Sequence, residues 1–307
     1  VTDDEGKANI LNDFFASVFT EEGNSELPDF EDKLNGEDVI SDTIILPDVV
    51  LKYLNGLNVS KACGPDDCNP MFLKQCAEQL YKPLSVIYQK SVSTGALPQD
   101  WKVANVTCIF KKGDKSSPGN YRPVSLTSVV CKILEKIIRE TIVNHLTVHN
   151  LMSDSQYGFR RNRNTILQLL SVMEDWTEAI DNDLQIDSVY LDFKKAFDSV
   201  PHRRLLQKVK AYGISGNILN WLKNFLDSRK QRVVISGQRS QWKSVSSGIP
   251  QGSILGPTLF IIFVNDLPEK VGSVCKMFAD DCKVYRNIES RQDQEELQAD
   301  IKRLCEW

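Results

Sequence analysis

Asp280 and Asp281 stand side by side in "FADD" (278–281), inside the otherwise apolar run "VCKMFADDCKVYR". Two adjacent carboxylates repel each other. A solvent-facing turn tolerates that repulsion, and Asp is a good turn residue. A divalent cation resolves it differently, by accepting hard oxygen ligands and neutralising the charge. One turn rarely supplies a whole magnesium site, so a further carboxylate is needed. Asp192 provides it, at the end of the alternating stretch "VYLDF". Either motif alone reads first as a surface turn. Two neighbouring strands that each end in aspartate can hold two metal ions about 3.5–4 Å apart. The chemistry of such a pair is phosphoryl transfer, in which positioning and charge neutralisation do most of the catalysis.

Other metal chemistry is poorly supported. The eight cysteines (63, 68, 76, 108, 131, 275, 282 and 305) are scattered, and the three histidines are at 145, 149 and 202. Cys63, Cys68 and Cys76 lack a fourth ligand in range, so zinc spacing is absent and reduced, buried thiols are expected. His145 and His149 lie one helical turn apart with no acid or thiol beside them in sequence, and read as a polar helix edge. No apolar run reaches membrane-spanning length. The net charge of −4 hides an asymmetry: residues 1–50 hold 14 acids against Lys7 and Lys33, whereas the remainder has a balance of +8. A basic body suits a polyanionic partner, although solvated surfaces often carry such an excess.

Elements must bring Asp192 and the pair at 280–281 together. "DSVYLDF" reads as a strand, and "CKMFADDCKVY" as a tight hairpin with Asp280 and Asp281 at its tip. "VANVTCIF" alternates as a strand, and "QRVVISGQRSQWKSV" reads as two strands around Ser236-Gly237. Helices are expected at "DVVLKYLNGL", at "MFLKQCAEQLYKPLSVIYQKSVSTG" with a kink or second start at Pro83, and over the apolar positions 130–146. Pro201–Ala211, "NILNWLKNFLDS" and the buried "GPTLFIIFVNDL" complete the helices. Residues 1–50 hold one apolar helical pattern within an acid-rich stretch, read as an N-terminal extension or linker. The mixture lacks a regular βαβ rhythm, which predicts an α+β fold with an antiparallel sheet.

The ordered set "VYLDFKKAFDSVPH", "SSGIPQGSILGPTLF" and "FADD" resembles the successive palm motifs of reverse transcriptases, and among these the non-LTR (LINE-like, jockey-like) retrotransposon type. "GPDDCNPMFLKQ", "LPQDWKVANVTCIFKKGD", "NYRPVSLTSVVCKILEKII" and "QYGFRRNRNT" resemble its finger motifs, and "KANILNDFFASVFT" resembles the segment that follows the endonuclease of such elements. The resemblance implies a right-hand polymerase with fingers and part of the palm helices at 51–185 and the palm with its catalytic motifs at 186–307. The thumb and the upstream endonuclease are expected to lie outside this stretch, so weak processivity is expected of it alone. It implies RNA-directed DNA synthesis with dNTPs, a DNA primer and an RNA template, the element's own RNA among them. Two Mg2+ ions, or Mn2+, are implied as cofactors, as is action in the cytoplasm and nucleus and not in a membrane.

The resemblance also implies residue roles. Asp192 and Asp280 are the principal metal ligands, with Asp281 in a weaker part. Lys195 and Ala196 present backbone N–H groups to the triphosphate. Phe197 is the steric gate against a ribose 2′-OH, against the alternative of a core aromatic. Gln251, between Gly248 and Gly252, lies against the incoming nucleotide. Lys112 and Arg122 reach the β/γ-phosphates, with Lys111 competing for the first role. Arg160, Arg161 and Arg163 contact template phosphates. Asn162 and Asn164 depart from the Gly and Ser common in that segment. Two other readings remain: a catalytically silent nucleic-acid-binding remnant, and a two-metal nuclease. "GIPQG" and a gate aromatic have no obvious purpose in a nuclease.

Overall fold

The computed structural model describes residues 2–23, 26–36 and 38–307. Val1, Asn24, Ser25 and Glu37 lie outside the described residues, so the acidic leader is characterised without Glu37. The fold mixes helices and strands in two compact units, 1–149 with 197–256 and 150–196 with 257–307.

In the first unit, strands β1 (Val103–Phe110), β2 (Tyr121–Leu126), β4 (Arg229–Ile235), β5 (Gln238–Arg239) and β6 (Lys243–Val245) form one sheet in the order β2-β1-β4-β5, with β6 also on β4. β1 runs antiparallel to β2 but parallel to β4. The sheet is therefore not wholly antiparallel, and the long chain between β1 and β4 supplies the crossover that a parallel pair requires. Helix α1 (Asp4–Ala16) packs on β4. Its Ala8, Leu11 and Phe15 bury against Val106 and Val233. The leader is thus partly a structural element, and its acids help to start it. The Asp3 side chain accepts the Gly6 N–H at 2.7 Å, and Asp4 and Glu5 occupy the first turn, where negative charge suits the helix dipole.

Helices α2 (Pro47–Asn55), α3 (Pro70–Gln75), α4 (Ala77–Thr94), α5 (Val129–Val148), α7 (His202–Ala211) and α8 (Gly216–Leu226) belong to the same unit. The interruption falls at Cys76, and α4 continues through Pro83. Burial of Leu84, Tyr88 and Val92 holds the helix beyond the proline. The Tyr88 hydroxyl donates to the Val130 carbonyl at 2.8 Å, and Trp221 Nε1–H donates to Ser91 Oγ at 3.0 Å. His145 is buried rather than at a polar edge, and its Nε2–H donates to the Tyr212 carbonyl at 2.8 Å. Only Cys131, Cys275 and Cys282 of the thiols are fully buried, and Cys305 is exposed.

In the second unit, β3 (Gln185–Asp192), β7 (Val274–Phe278) and β8 (Asp281–Ile288) form an antiparallel sheet in the order β3-β8-β7. One face buries Cys275, Met277, Cys282 and Val284. On the other, α6 (Thr165–Asp181) lays Trp176 edge-on against Tyr285 at 6.0 Å between ring centroids. Helix α9 (Gly256–Val264) begins at the boundary between the units, and α10 (Arg291–Glu306) contacts β8. No helix among the described residues is long and apolar enough to cross a membrane.

Candidate active site

The hairpin β7–β8 turns through Ala279 and Asp280, so Asp280 occupies the tip and Asp281 is already the first rung of the ladder. Asp281 is paired with Phe278 on one side and with Asp192 on the other. Directly opposed residues share a face of a sheet, with Cβ atoms about 4.5–5.5 Å apart. Asp192 and Asp281 are therefore neighbours on one face, and Asp280 adjoins them at the turn. Both rung carboxylates are exposed, and Asp280 is half-buried. Among the described residues, none of these three carboxylates takes a hydrogen bond or an ion pair. Partial burial, then the charges of Asp280 and Asp192, push the Asp281 carboxyl above its ordinary value.

This is an uncompensated cluster of hard oxygen donors open to solvent, and it fits a divalent cation. It is not a ready-made cage: no three His, Cys, Asp or Glu side chains among the described residues surround a common point closely enough to hold an ion. Magnesium typically takes one or two protein carboxylates and completes its shell with water and substrate phosphates. The next rung on the same face carries Tyr190, Lys283 and Lys276. The Lys283 ammonium lies 4.9 Å from the centroids of both Tyr190 and Trp176.

The turn is held from outside by Gln156, the first residue of "QYGFRRNRNT", to which the motif reading assigned no role. Ala279 has φ 56, a positive value that two-residue hairpins usually assign to glycine. Gln156, fully buried, accepts the Ala279 N–H at 2.8 Å and the Gly158 N–H at 2.7 Å through Oε1. Its Nε2 donates to the Ala279 carbonyl at 3.4 Å. The flanking backbone adds a strand-like pairing: Met277 N–H donates to Ser155, and Tyr157 N–H to Met277, each at 2.8 Å. A Cβ on Gly158 would lie 2.4 Å from the Ala279 nitrogen, so this approach needs glycine.

The arginines that follow are only partly available. Arg160 donates to the Ser153 carbonyl and pairs with Asp154 at 3.8 Å. Arg163 pairs with Asp154 and covers the Tyr157 ring at 4.9 Å. Arg161 is exposed. Lys195, at φ 53, and the buried Ala196 lie in the tight turn after β3.

In the first unit, Phe197 is half-buried and its carbonyl accepts the Ile249 N–H at 2.7 Å. Gly248 has φ 82, and a Cβ there would meet the Asp198 carbonyl oxygen at 2.5 Å. The glycine thus lets "GIPQG" press on this chain's own backbone. Gln251 Nε2 donates to Asp198 Oδ1 at 2.9 Å, and both residues line a small cleft with Arg229, Gln231 and Ser247. Asp198 therefore orients Gln251, a role that no local pattern announces. Arg122 is exposed on β2, and Lys111 and Lys112 are exposed just after β1.

The chain is similar to known proteins over most of its length. The chain is 30% identical over 255 residues to "Probable RNA-directed DNA polymerase from transposon X-element" of Drosophila melanogaster, covering 81% of the chain and 28% of that protein. It is 32% identical over 213 residues to "RNA-directed DNA polymerase from mobile element jockey" of the same species, covering 69% and 23%. A third relative, "Probable RNA-directed DNA polymerase from transposon BS", is 30% identical over 226 residues, covering 71% and 24%. The chain spans about a quarter of the length of these curated relatives. Residues 109–307 match the family described as "Reverse transcriptase (RNA-dependent DNA polymerase)", and the chain belongs to that family.

Proposed function

We propose that the chain carries the polymerase of a non-LTR mobile element and extends a DNA primer with dNTPs on an RNA template. The observation that supports this most is the opposition of Asp192 and Asp281 across adjacent strands, with Asp280 beside them and, among the described residues, no ion pair to neutralise the cluster. Asp192, Asp280 and Asp281 would hold two divalent ions, Mg2+ or Mn2+, which supply activation of the primer 3′-hydroxyl and neutralisation of the leaving pyrophosphate. In this reading β3, β7 and β8 are palm strands, and β1 and β2 belong to the fingers.

The chain's own groups divide the remaining work. Backbone N–H groups of Lys195 and Ala196 orient the triphosphate, a use to which short turns with positive φ are suited. Lys112 and Arg122, both exposed, neutralise phosphate oxygens, and Arg122 can do so bidentately. Phe197 excludes a ribose 2′-OH. Gln251, its amide fixed by Asp198, faces the nucleotide. Arg161 is the most available template contact, whereas Arg160 and Arg163 first shape their own loop.

Primer extension on an RNA template with labelled dNTPs tests the proposal. Extension by the wild type that is lost in Asp192→Ala supports it. Nucleic-acid binding without extension supports the silent remnant, and shortening of the primer supports a nuclease.

A further inference from the structure

We propose that Gln156 is a positioning residue: by gripping Ala279 it holds the hairpin turn in the conformation that aims the Asp280 carboxylate. The inference rests on the polymerase reading of the carboxylates and extends it to a residue outside their motifs. A primary amide carries one acceptor and one donor face, like a peptide group. Gln156 uses both on the single residue Ala279, accepting its N–H and donating to its carbonyl. The same Oε1 also accepts the Gly158 N–H, so the side chain is tied to its own backbone and cannot swing away. Its burial removes competing water.

The need for such a grip follows from the turn. Ala279 sits at φ 56 without the freedom of glycine. In an unsupported hairpin an alanine there drifts towards negative φ. That rotation is transmitted directly to the next residue, Asp280, whose carboxylate must stay in register with Asp192 and Asp281. The segment 155–157 pairs with β7, so the grip is anchored to the strand that leads into the turn.

The test uses the 307-residue chain and three variants: Gln156→Leu, Ala279→Gly and the double variant. Glycine accepts positive φ without strain, so it replaces the conformational part of the grip. Mn2+ affinity is measured by electron paramagnetic resonance, the Ala279 amide by hydrogen exchange, and primer extension by kcat and by KM for dNTP. The expected result for Gln156→Leu is faster exchange at Ala279, at least fivefold weaker Mn2+ binding, and at least tenfold lower kcat with KM within about twofold. The double variant recovers most of the Mn2+ affinity and kcat. Ala279 protection, Mn2+ affinity and kcat that stay unchanged in Gln156→Leu overturn the proposal, as does a loss that Ala279→Gly leaves unrepaired. Mn2+ affinity that depends on Gln156 in a wild type that extends no primer refutes the polymerase reading and leaves the positioning role standing.

Discussion

Replacing Asp192 by asparagine should stabilise the metal-free protein. Asp192 and Asp281 are directly opposed, and Asp280 adds a further negative charge beside them. Two unit charges about 5 Å apart in near-aqueous surroundings repel by roughly 1 kcal/mol. Like charges opposed across strands are destabilising on a scale of about 0.2–1 kcal/mol. Asp192→Asn keeps the shape and removes the charge, so in EDTA its Tm should rise by about 1–2 °C. Divalent cation reverses the order. At Mn2+ ten times the dissociation constant, the wild type gains about 1.4 kcal/mol by mass action, and the variant gains little. Thermal unfolding in EDTA and in Mn2+ should therefore give curves whose ranking crosses. A variant that is less stable in EDTA, or that keeps the full Mn2+-dependent rise, would show that the opposed carboxylates neither repel each other nor share the ion.

Other residues give independent checks. The Asp281 carboxyl has a raised pKa, so the folded state holds its proton more tightly than the unfolded chain; this contribution favours the fold at low pH and fades as pH rises through the raised value. Mn2+ titrations should accordingly show weaker binding as pH falls, and Asp281→Asn should flatten that dependence. Asp300 is buried; burial opposes its ionisation, but hydrogen bonds from Ser273, Gly272 and Arg303 outweigh it and hold its pKa at about 2. Its stabilising contribution is complete above the ordinary value of 3.8 and is lost as pH falls towards 2, so Asp300→Asn should cost about 2 kcal/mol in neutral urea unfolding and lose part of the acid limb. Asp198→Ala frees Gln251, and steady-state kinetics should show a several-fold higher KM for dNTP with kcat nearly unchanged. Phe197→Ala should lower the preference for dNTP over rNTP by about 10–100-fold in competitive incorporation.

Much of the site was legible because its signals are local. Alternating residues flank both carboxylate motifs, and the period of two fixes which side chains share a face once the strands pair. What the spacing left open was the register. Both aspartates were expected at the tip, but a two-residue turn leaves Asp281 inside the ladder, opposite Asp192. Long-range packing was less legible. The stripe Ala8, Leu11 and Phe15 looks the same on a linker helix and on one that covers a sheet, and only Val106 and Val233 decide the matter. In sequence Pro83 is the obvious interruption, yet tertiary burial carries α4 through it and the break falls at Cys76. Gln156 and Asp198 each act on one residue distant in sequence, 123 and 53 positions away, and such contacts leave no periodic trace. The hints were its place at the head of "QYGFRRNRNT" and the neighbouring Gly158, since a glycine there permits close backbone approach.

The most direct measurement is an anomalous-difference map from crystals of the protein soaked in Mn2+. The account predicts a peak within coordination distance of the carboxylates of Asp192 and Asp281, lost in Asp192→Asn. Ordered Mn2+ bound elsewhere, with no peak between these two strands, would contradict it.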